Sequence, residues 1–92
     1  MLGIDPGLTR CGVGIVDVTP TRRATIVDVV VIRSGAEMPL EQRLLLVGDE
    51  IERLLDLYRP QAVAIERVFA QQNLRTVMGV AQISGVALHL AA

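Results

Sequence analysis

The apolar residues of this sequence recur with two different periods, and the order of these periods limits the folds that the chain can adopt. Three short apolar runs typical of strands occupy residues 2–5, 11–18 and 24–33. Pro6-Gly7 and the polar segment 19–23 separate these runs and are typical of turns. Closely spaced strands joined by short turns predict an antiparallel meander.

After residue 39 the apolar residues recur at helical spacing. The intervals are four, three, four, three and four residues, along Leu40, Leu44, Val47, Ile51, Leu54 and Tyr58. This stripe predicts an amphipathic helix of about five turns, which Pro60 should end. Residues 62–66 then predict a short buried strand, and residues 73–92 predict a second helix with Asn73 as its N-cap.

The order strand, strand, strand, helix, strand, helix predicts an α/β domain with a mixed sheet. A helix between two neighbouring strands implies a right-handed crossover and parallel pairing of those strands. Aromatic residues make up only 2% of the chain, so its core must be aliphatic. The pattern stops inside a helix, without a glycine or basic residue to close it. We therefore expect residues 1–92 to form a single, incomplete domain whose C-terminal part is missing.

The composition argues against several classes of protein. No stretch reaches the roughly 18 consecutive apolar residues of a membrane span, and no signal peptide is recognisable at the N-terminus, so we expect a cytoplasmic protein. Cys11 is the only cysteine, which excludes an internal disulfide and a cysteine-rich zinc site; we expect it and His89 to be structural. The net charge of −1 gives no general attraction to nucleic acid, so any DNA contact requires a local patch.

Two acidic residues end predicted strands, Asp5 after the first and Glu66 after the fourth. If these strands are parallel neighbours, both carboxylates emerge at the same edge of the sheet. Carboxylate oxygens are the ligands that Mg²⁺ and Mn²⁺ prefer. The spacing alone favours two acids that each cap the turn after their own strand, because acids at strand ends are common.

The residues around both acids resemble the motifs of one family. Residues 3–12, Gly-Ile-Asp-Pro-Gly-Leu-Thr-Arg-Cys-Gly, closely resemble the opening motif of the RuvC family, and Glu66-Arg67-Val68-Phe69 is similar to its second motif. The first motif alone is weak, because Asp-x-Gly-x-Thr also opens the phosphate-binding loop of actin-like ATPases. The two motifs together are specific, and the resemblance extends in register over essentially all 92 residues.

The resemblance implies an RNase H-like fold and the activity of a Holliday junction resolvase, a Mg²⁺-dependent endodeoxyribonuclease of recombination and repair. In that fold two divalent ions, Mg²⁺ or alternatively Mn²⁺, flank the scissile phosphate. Asp5 and Glu66 match the family's first two catalytic, metal-binding acids. The family acts as a homodimer on four-way junction DNA, in association with a branch-migration motor complex, and nicks two strands of like polarity.

The resemblance also implies DNA contacts. Phe69 matches a family aromatic residue that stacks on a base at the opened crossover, although its place alone would also suit a core residue covering the sheet edge. Arg10, Arg67 and Arg75 lie in or near the loops beside the acids, where they could bind phosphates or be solvated. The small residues of the second helix suit either a dimer interface or close packing against the chain's own sheet.

The sequence departs from the family where its active site would be completed. The family's remaining acids form an Asp-x-x-Asp arrangement on a C-terminal helix that follows a basic segment, and neither is present here. We therefore expect a truncated, weak or inactive nuclease. A non-catalytic module of the same fold that binds branched DNA or a protein partner is the main alternative. The phosphate-loop half of an actin-like ATPase and the related pre-16S ribosomal RNA nucleases fit less well.

Overall fold

The computed structural model describes residues 1–66 and 74–92, except for the side chains of residues 74–77. Its elements are β1 (Leu2–Asp5), β2 (Arg10–Val18), β3 (Ala24–Arg33), α1 (Leu40–Tyr58), β4 (Val63–Ile65) and α2 (Leu74–Ala91). All six predicted elements are present, and their bounds agree with the prediction to within one residue. The predicted cap at Asn73 lies outside the described residues.

The four strands form one mixed sheet in the order β3-β2-β1-β4. β1 pairs antiparallel with β2, and β2 pairs antiparallel with β3, so the predicted meander is confirmed. β4 pairs parallel with β1. β3 and β4, the two strands that α1 connects, also run parallel, but they lie at opposite edges of the sheet and, contrary to the prediction, do not pair with each other. In this register Asp5 lies opposite Gly12 on β2, and Ile4 lies opposite Ile65 on β4.

One face of the sheet forms the core together with both helices. Alternate strand residues point to this face and pack against α1 and α2, as expected from the two-residue period of a strand. The buried cluster contains Leu2, Ile4, Cys11, Val13, Ile15, Ile32, Val47, Ile51, Leu54, Ile83 and Ala87. Cys11 is fully buried, as predicted, and burial raises the pKa of its thiol.

The opposite face of the sheet is apolar but has no covering layer within the described part of the chain. It presents Gly3, Gly14 and Ala64, together with Val29 and Val31, which are 65% and 49% exposed. Because Gly3, Gly14 and Ala64 carry no large side chains, the surface forms a shallow depression at these three residues. The strand prediction did not indicate which face would remain open.

The two helices pack closely against each other. A Cβ atom added to Gly48 of α1 would lie 3.1 Å from Cγ1 of Val86 on α2. α1 ends at Tyr58, because Arg59 adopts a left-handed conformation (φ 44°) and its N–H donates to the Leu55 carbonyl at 2.9 Å. The predicted stop at Pro60 is therefore one residue beyond this cap. Neither α1 nor the described α2 is long and apolar enough to cross a membrane.

Candidate metal and nucleic-acid site

The parallel pairing of β1 and β4 brings the two strand-end acids to the same place. The register pairs Ile4 with Ile65, and the N–H of Glu66 donates to the Ile4 carbonyl at 3.0 Å. Asp5 and Glu66 are the next residues on their strands, so both carboxylates leave the sheet at the same end. Both side chains are exposed to solvent. This is the convergence that the sequence predicted if the two strands were neighbours.

The two carboxyl groups interact directly. A hydrogen bond with Asp5 is the main cause that raises the pKa of Glu66 above its usual value, and repulsion from the Asp5 charge adds to it. Two carboxylates this close disfavour a state in which both are ionised. A divalent cation between them would remove that penalty, and hard oxygen ligands suit Mg²⁺ or Mn²⁺.

A shallow depression extends from the two acids along the open face of the sheet. We call it the glycine trough, and its volume is about 450 Å³. It is lined by Gly3, Gly12 and Gly14, by Asp5 and Glu66, and by Val31 of β3. A Cβ atom at Gly12 would lie 3.6 Å from Cβ of Asp5. Glycine at this position therefore leaves space beside the carboxylate of Asp5. The two acids lie at one end of an open, solvent-exposed depression.

A second depression lies on the other side of Asp5. This loop groove, of about 690 Å³, is lined by Asp5, residues 6–10, Ala36, Arg43, Gly79 and Val80. Arg10 is exposed at the start of β2 and shares the groove with Asp5. The structure thus places two predicted site residues beside Asp5: Glu66 lines the glycine trough with it, and Arg10 lines the loop groove with it.

The other predicted DNA contacts are not part of the structural description. Arg67 and Phe69 lie outside the described residues. The backbone of Arg75 belongs to α2, but its side chain is outside the described part. Their interaction with DNA remains a prediction.

Two polar residues beside the site were not singled out from the sequence. Ser34 is 5% exposed and follows β3, and the half-buried Arg43 donates from Nε to its hydroxyl at 3.0 Å. The pattern placed Arg43 off the apolar stripe of the first helix. Arg43 lies three residues after Leu40 and four before Val47, and residues at these spacings share a helix face. The sequence therefore could have indicated that Arg43 lies beside the buried face of the helix.

The described residues provide only part of a metal site. Among residues 1–66 and 74–92, no group of three or more His, Cys, Asp or Glu side chains could hold a metal ion. In the part of the chain that the structure describes, the donors at this edge are the two acids. The residues present fit a hard divalent cation in chemistry but supply few of the ligands that such a cation requires.

Comparison with known proteins identifies the family. A family profile described as crossover junction endodeoxyribonuclease RuvC matches residues 1–92. The chain belongs to the RuvC family. The RuvC of Leifsonia xyli subsp. xyli is 77% identical over 92 residues, which are all of this chain and 44% of that relative. The RuvC of Clavibacter sepedonicus is 66% identical over 88 residues, or 96% of this chain and 43% of that relative.

Solved RuvC structures have the same fold. A T. thermophilus RuvC in complex with a Holliday junction substrate superimposes with a TM-score of 0.87 at 31% identity, over 98% of this chain and 55% of that one. A second Thermus thermophilus RuvC structure gives a TM-score of 0.86 at 27% identity. The predicted RNase H-like mixed sheet is confirmed. The chain spans about half the length of the curated RuvC relatives that it matches.

Proposed function

We propose that this chain carries the Asp5–Glu66 part of the active site of a Holliday junction resolvase, a structure-specific endonuclease of recombination and repair. The observation that carries the proposal is the parallel register of β1 and β4, which places both carboxylates at one end of the sheet. Membership of a family of crossover junction endodeoxyribonucleases supports the same activity.

The proposed cofactor is Mg²⁺, with Mn²⁺ as an alternative and two ions in the complete family site. Asp5 and Glu66 would hold these ions. The pKa of Glu66 is raised by its hydrogen bond with Asp5 and by the Asp5 charge, and this proximity of two carboxyl groups supports a cation there. When bound, such ions lower the pKa of a water nucleophile and stabilise the leaving oxygen. With only two acids, we expect the chain alone to be a very weak nuclease or none.

The proposed substrate is four-way junction DNA. Its backbone would pass the open edge between the glycine trough and the loop groove, where Arg10 offsets the negative charge of Asp5 towards phosphate. Arg67 and Arg75 are proposed as further phosphate contacts. Phe69 is proposed to stack on a base, a contact that contributes roughly 1–3 kcal/mol to the binding free energy. A relative bound to a Holliday junction substrate supports this choice of substrate.

The proposed assembly is a cytoplasmic homodimer associated with a branch-migration motor complex. The second helix offers a surface for such a dimer, because Leu88 is 62% exposed and a Cβ atom on Gly85 would contact nothing within 4 Å. The inward-facing residues of the same helix, Ile83 and Ala87, pack in the chain's own core. Both roles considered for this helix can therefore coexist on different faces.

Nicking and binding of a synthetic four-way junction test the proposal, with duplex DNA of equal length as the control and parallel assays in Mg²⁺ and EDTA. We expect selective junction binding, and nicking that is very slow or absent. Any nicking should require Mg²⁺ and disappear in Asp5→Asn but persist in Asp49→Asn, a matched change at an exposed acid of α1. Equal affinity for duplex and junction would contradict the proposal.

A non-catalytic module that binds branched DNA or a protein partner is the second candidate. It is favoured by the lack of any three-residue metal-binding group among the described residues. The same assay separates the two candidates. Junction binding that is unchanged in EDTA and in Asp5→Asn, without any nicking, would favour the binding module.

A further inference from the structure

The short loop between the site residues Asp5 and Arg10, here called the β1–β2 loop (residues 6–9), is held by a buried serine. The N–H of Ser34 donates to the Thr9 carbonyl at 3.2 Å, and its hydroxyl donates to the Leu8 carbonyl. Ser34 is the buried polar residue among those described. A buried hydroxyl requires such partners to offset the cost of its desolvation. Two consecutive carbonyls of the loop are therefore fixed to the end of β3.

Arg43 links the same loop to α1. Its Nε donates to the Ser34 hydroxyl at 3.0 Å, and its Nη2 donates to Oγ1 of Thr9 at 3.1 Å and to the Ser34 carbonyl at 3.3 Å. The planar guanidinium can reach these acceptors together, whereas a lysine ammonium cannot reproduce this fork. Among the described residues, the hydrogen bonds of the Arg43 side chain are therefore with the loop and with Ser34. The ion pair in this part of the chain joins Arg53 to Glu50 instead.

α2 holds the loop from a third direction. A Cβ atom on Gly79 would lie 3.2 Å from Cβ of Leu8, so the helix backbone lies directly against the loop. Leu8 is partly buried and packs on the core cluster. The loop turns tightly at Gly7, because a Cβ atom there would lie 2.1 Å from the Arg10 carbonyl oxygen and would not fit. The loop is therefore fixed by α1, α2 and the end of β3.

We infer that Arg43 is a positioning residue, which acts through Ser34 and Thr9 to hold Asp5 and Arg10 at their places beside Glu66. Only four residues separate Asp5 from Arg10, so displacement of the loop moves both ends. Arg43 also lines the loop groove with Asp5 and Arg10. The role of the positioned residues in metal and phosphate binding rests on the proposed function, whereas the fixing of the loop does not.

Two NMR measurements on the whole 92-residue protein test the inference. The first is the amide exchange rate of Ser34, whose N–H bonds to the loop; we expect at least about tenfold faster exchange in Arg43→Ala, because the opening of the loop is no longer opposed. The second is the affinity for Mn²⁺, measured from the broadening of the Gly12 amide signal. We expect a loss of about tenfold, as for other groups that orient metal ligands from behind.

Chemical rescue and matched variants separate positioning from general stability. Methylguanidinium should restore both measurements in Arg43→Ala, and Arg43→Lys should remain defective because it lacks the planar fork. Arg53→Ala, which removes an exposed arginine of the same helix, should match the wild type in both. Thr9→Val removes a single hydrogen bond from Arg43 and provides a milder test if Arg43→Ala does not fold.

The outcomes distinguish the two proposals. Unchanged Ser34 exchange in both Arg43→Ala and Thr9→Val would overturn the positioning role. Normal Mn²⁺ affinity in a folded Arg43→Ala protein would overturn it as well. If the wild type itself shows no Mn²⁺ broadening at Gly12, the proposed metal site fails, while accelerated Ser34 exchange and its rescue still decide whether Arg43 positions the loop.

Discussion

At the residue scale, the proposed site is a pair of carboxyl groups that are unfavourable neighbours when both are ionised. Glu66 is exposed, so burial contributes least to the rise in its pKa; the hydrogen bond and the charge of Asp5 are the larger causes. Gly12 completes the arrangement, because its missing side chain leaves space beside Asp5. These features support the proposal that the pair binds a cation.

The first prediction concerns this pair. In Asp5→Asn the pKa of Glu66 should fall towards its usual value, because the charge and the carboxyl hydrogen bond that raise it are both removed. Because the pKa of Glu66 is raised in the folded state, the contribution of this one group to the free energy of unfolding is largest at low pH. That contribution decreases as the pH rises through the folded pKa. This decrease, in the acidic range just above the usual pKa of glutamate, should be smaller in Asp5→Asn.

A ¹³C NMR titration of the Glu66 side-chain carboxyl in both proteins measures the pKa directly. Asp49→Asn serves as the control, because that acid lies on α1 and should leave the titration of Glu66 unchanged. A Glu66 titration that is identical in Asp5→Asn and the wild type would mean that the two carboxyl groups do not interact in solution.

At the element scale, glycines decide how closely the helices approach each other and the β1–β2 loop. The amphipathic stripe of α1 predicts which face is buried, and Val47, Ile51 and Leu54 are indeed buried. It does not predict the distance to α2, which the contact between Gly48 and Val86 sets. The stripe likewise does not predict how closely α2 approaches the β1–β2 loop, a distance that the contact between Gly79 and Leu8 sets.

The second prediction compares two helical glycines. Gly48→Val should lower the free energy of unfolding by roughly 1–3 kcal/mol, because the added side chain overpacks against Val86. Gly85→Ala should raise it by up to about 1 kcal/mol, because alanine is the better helix former and nothing lies within 4 Å. Urea unfolding curves measure both. A Gly48→Val protein as stable as the wild type would contradict the close helix packing.

At the scale of the whole molecule, the domain has one well-packed face and one open face. The core lies between the sheet and the helices, whereas the face with Val29 and Val31 has no cover among the described residues. β4 is the outer strand of the sheet next to the acids. Exposed apolar sheet surface and an unpaired outer strand both favour association with other chains.

The third prediction follows from this open face. The 92-residue protein should associate with itself at high concentration, and the double variant Val29→Thr with Val31→Thr should do so less, because threonine retains β propensity but is more polar. Val18→Thr is the control, since Val18 is also exposed on a strand but does not line the glycine trough. Analytical ultracentrifugation across a concentration series measures the effect, and equal association of both variants would contradict it.

The sequence by itself determined the type and order of the elements, because strand and helix periods are local properties of the chain. It did not determine that β4 pairs with β1, because the crossover rule applies to β3 and β4, the strands that α1 connects, and these lie at opposite edges of the sheet. The approach of Asp5 and Glu66 followed from the sequence only on the condition that their strands are parallel neighbours, a condition that the sheet order fulfils.

Only the tertiary structure decided which contacts these elements make with one another. A period assigns Arg43 to a helix face but does not name the loop atoms that its guanidinium reaches. The contact of Gly79 with Leu8 and the open face beside Val31 likewise depend on residues distant in sequence. Their partners are brought together by packing, which a local pattern does not encode.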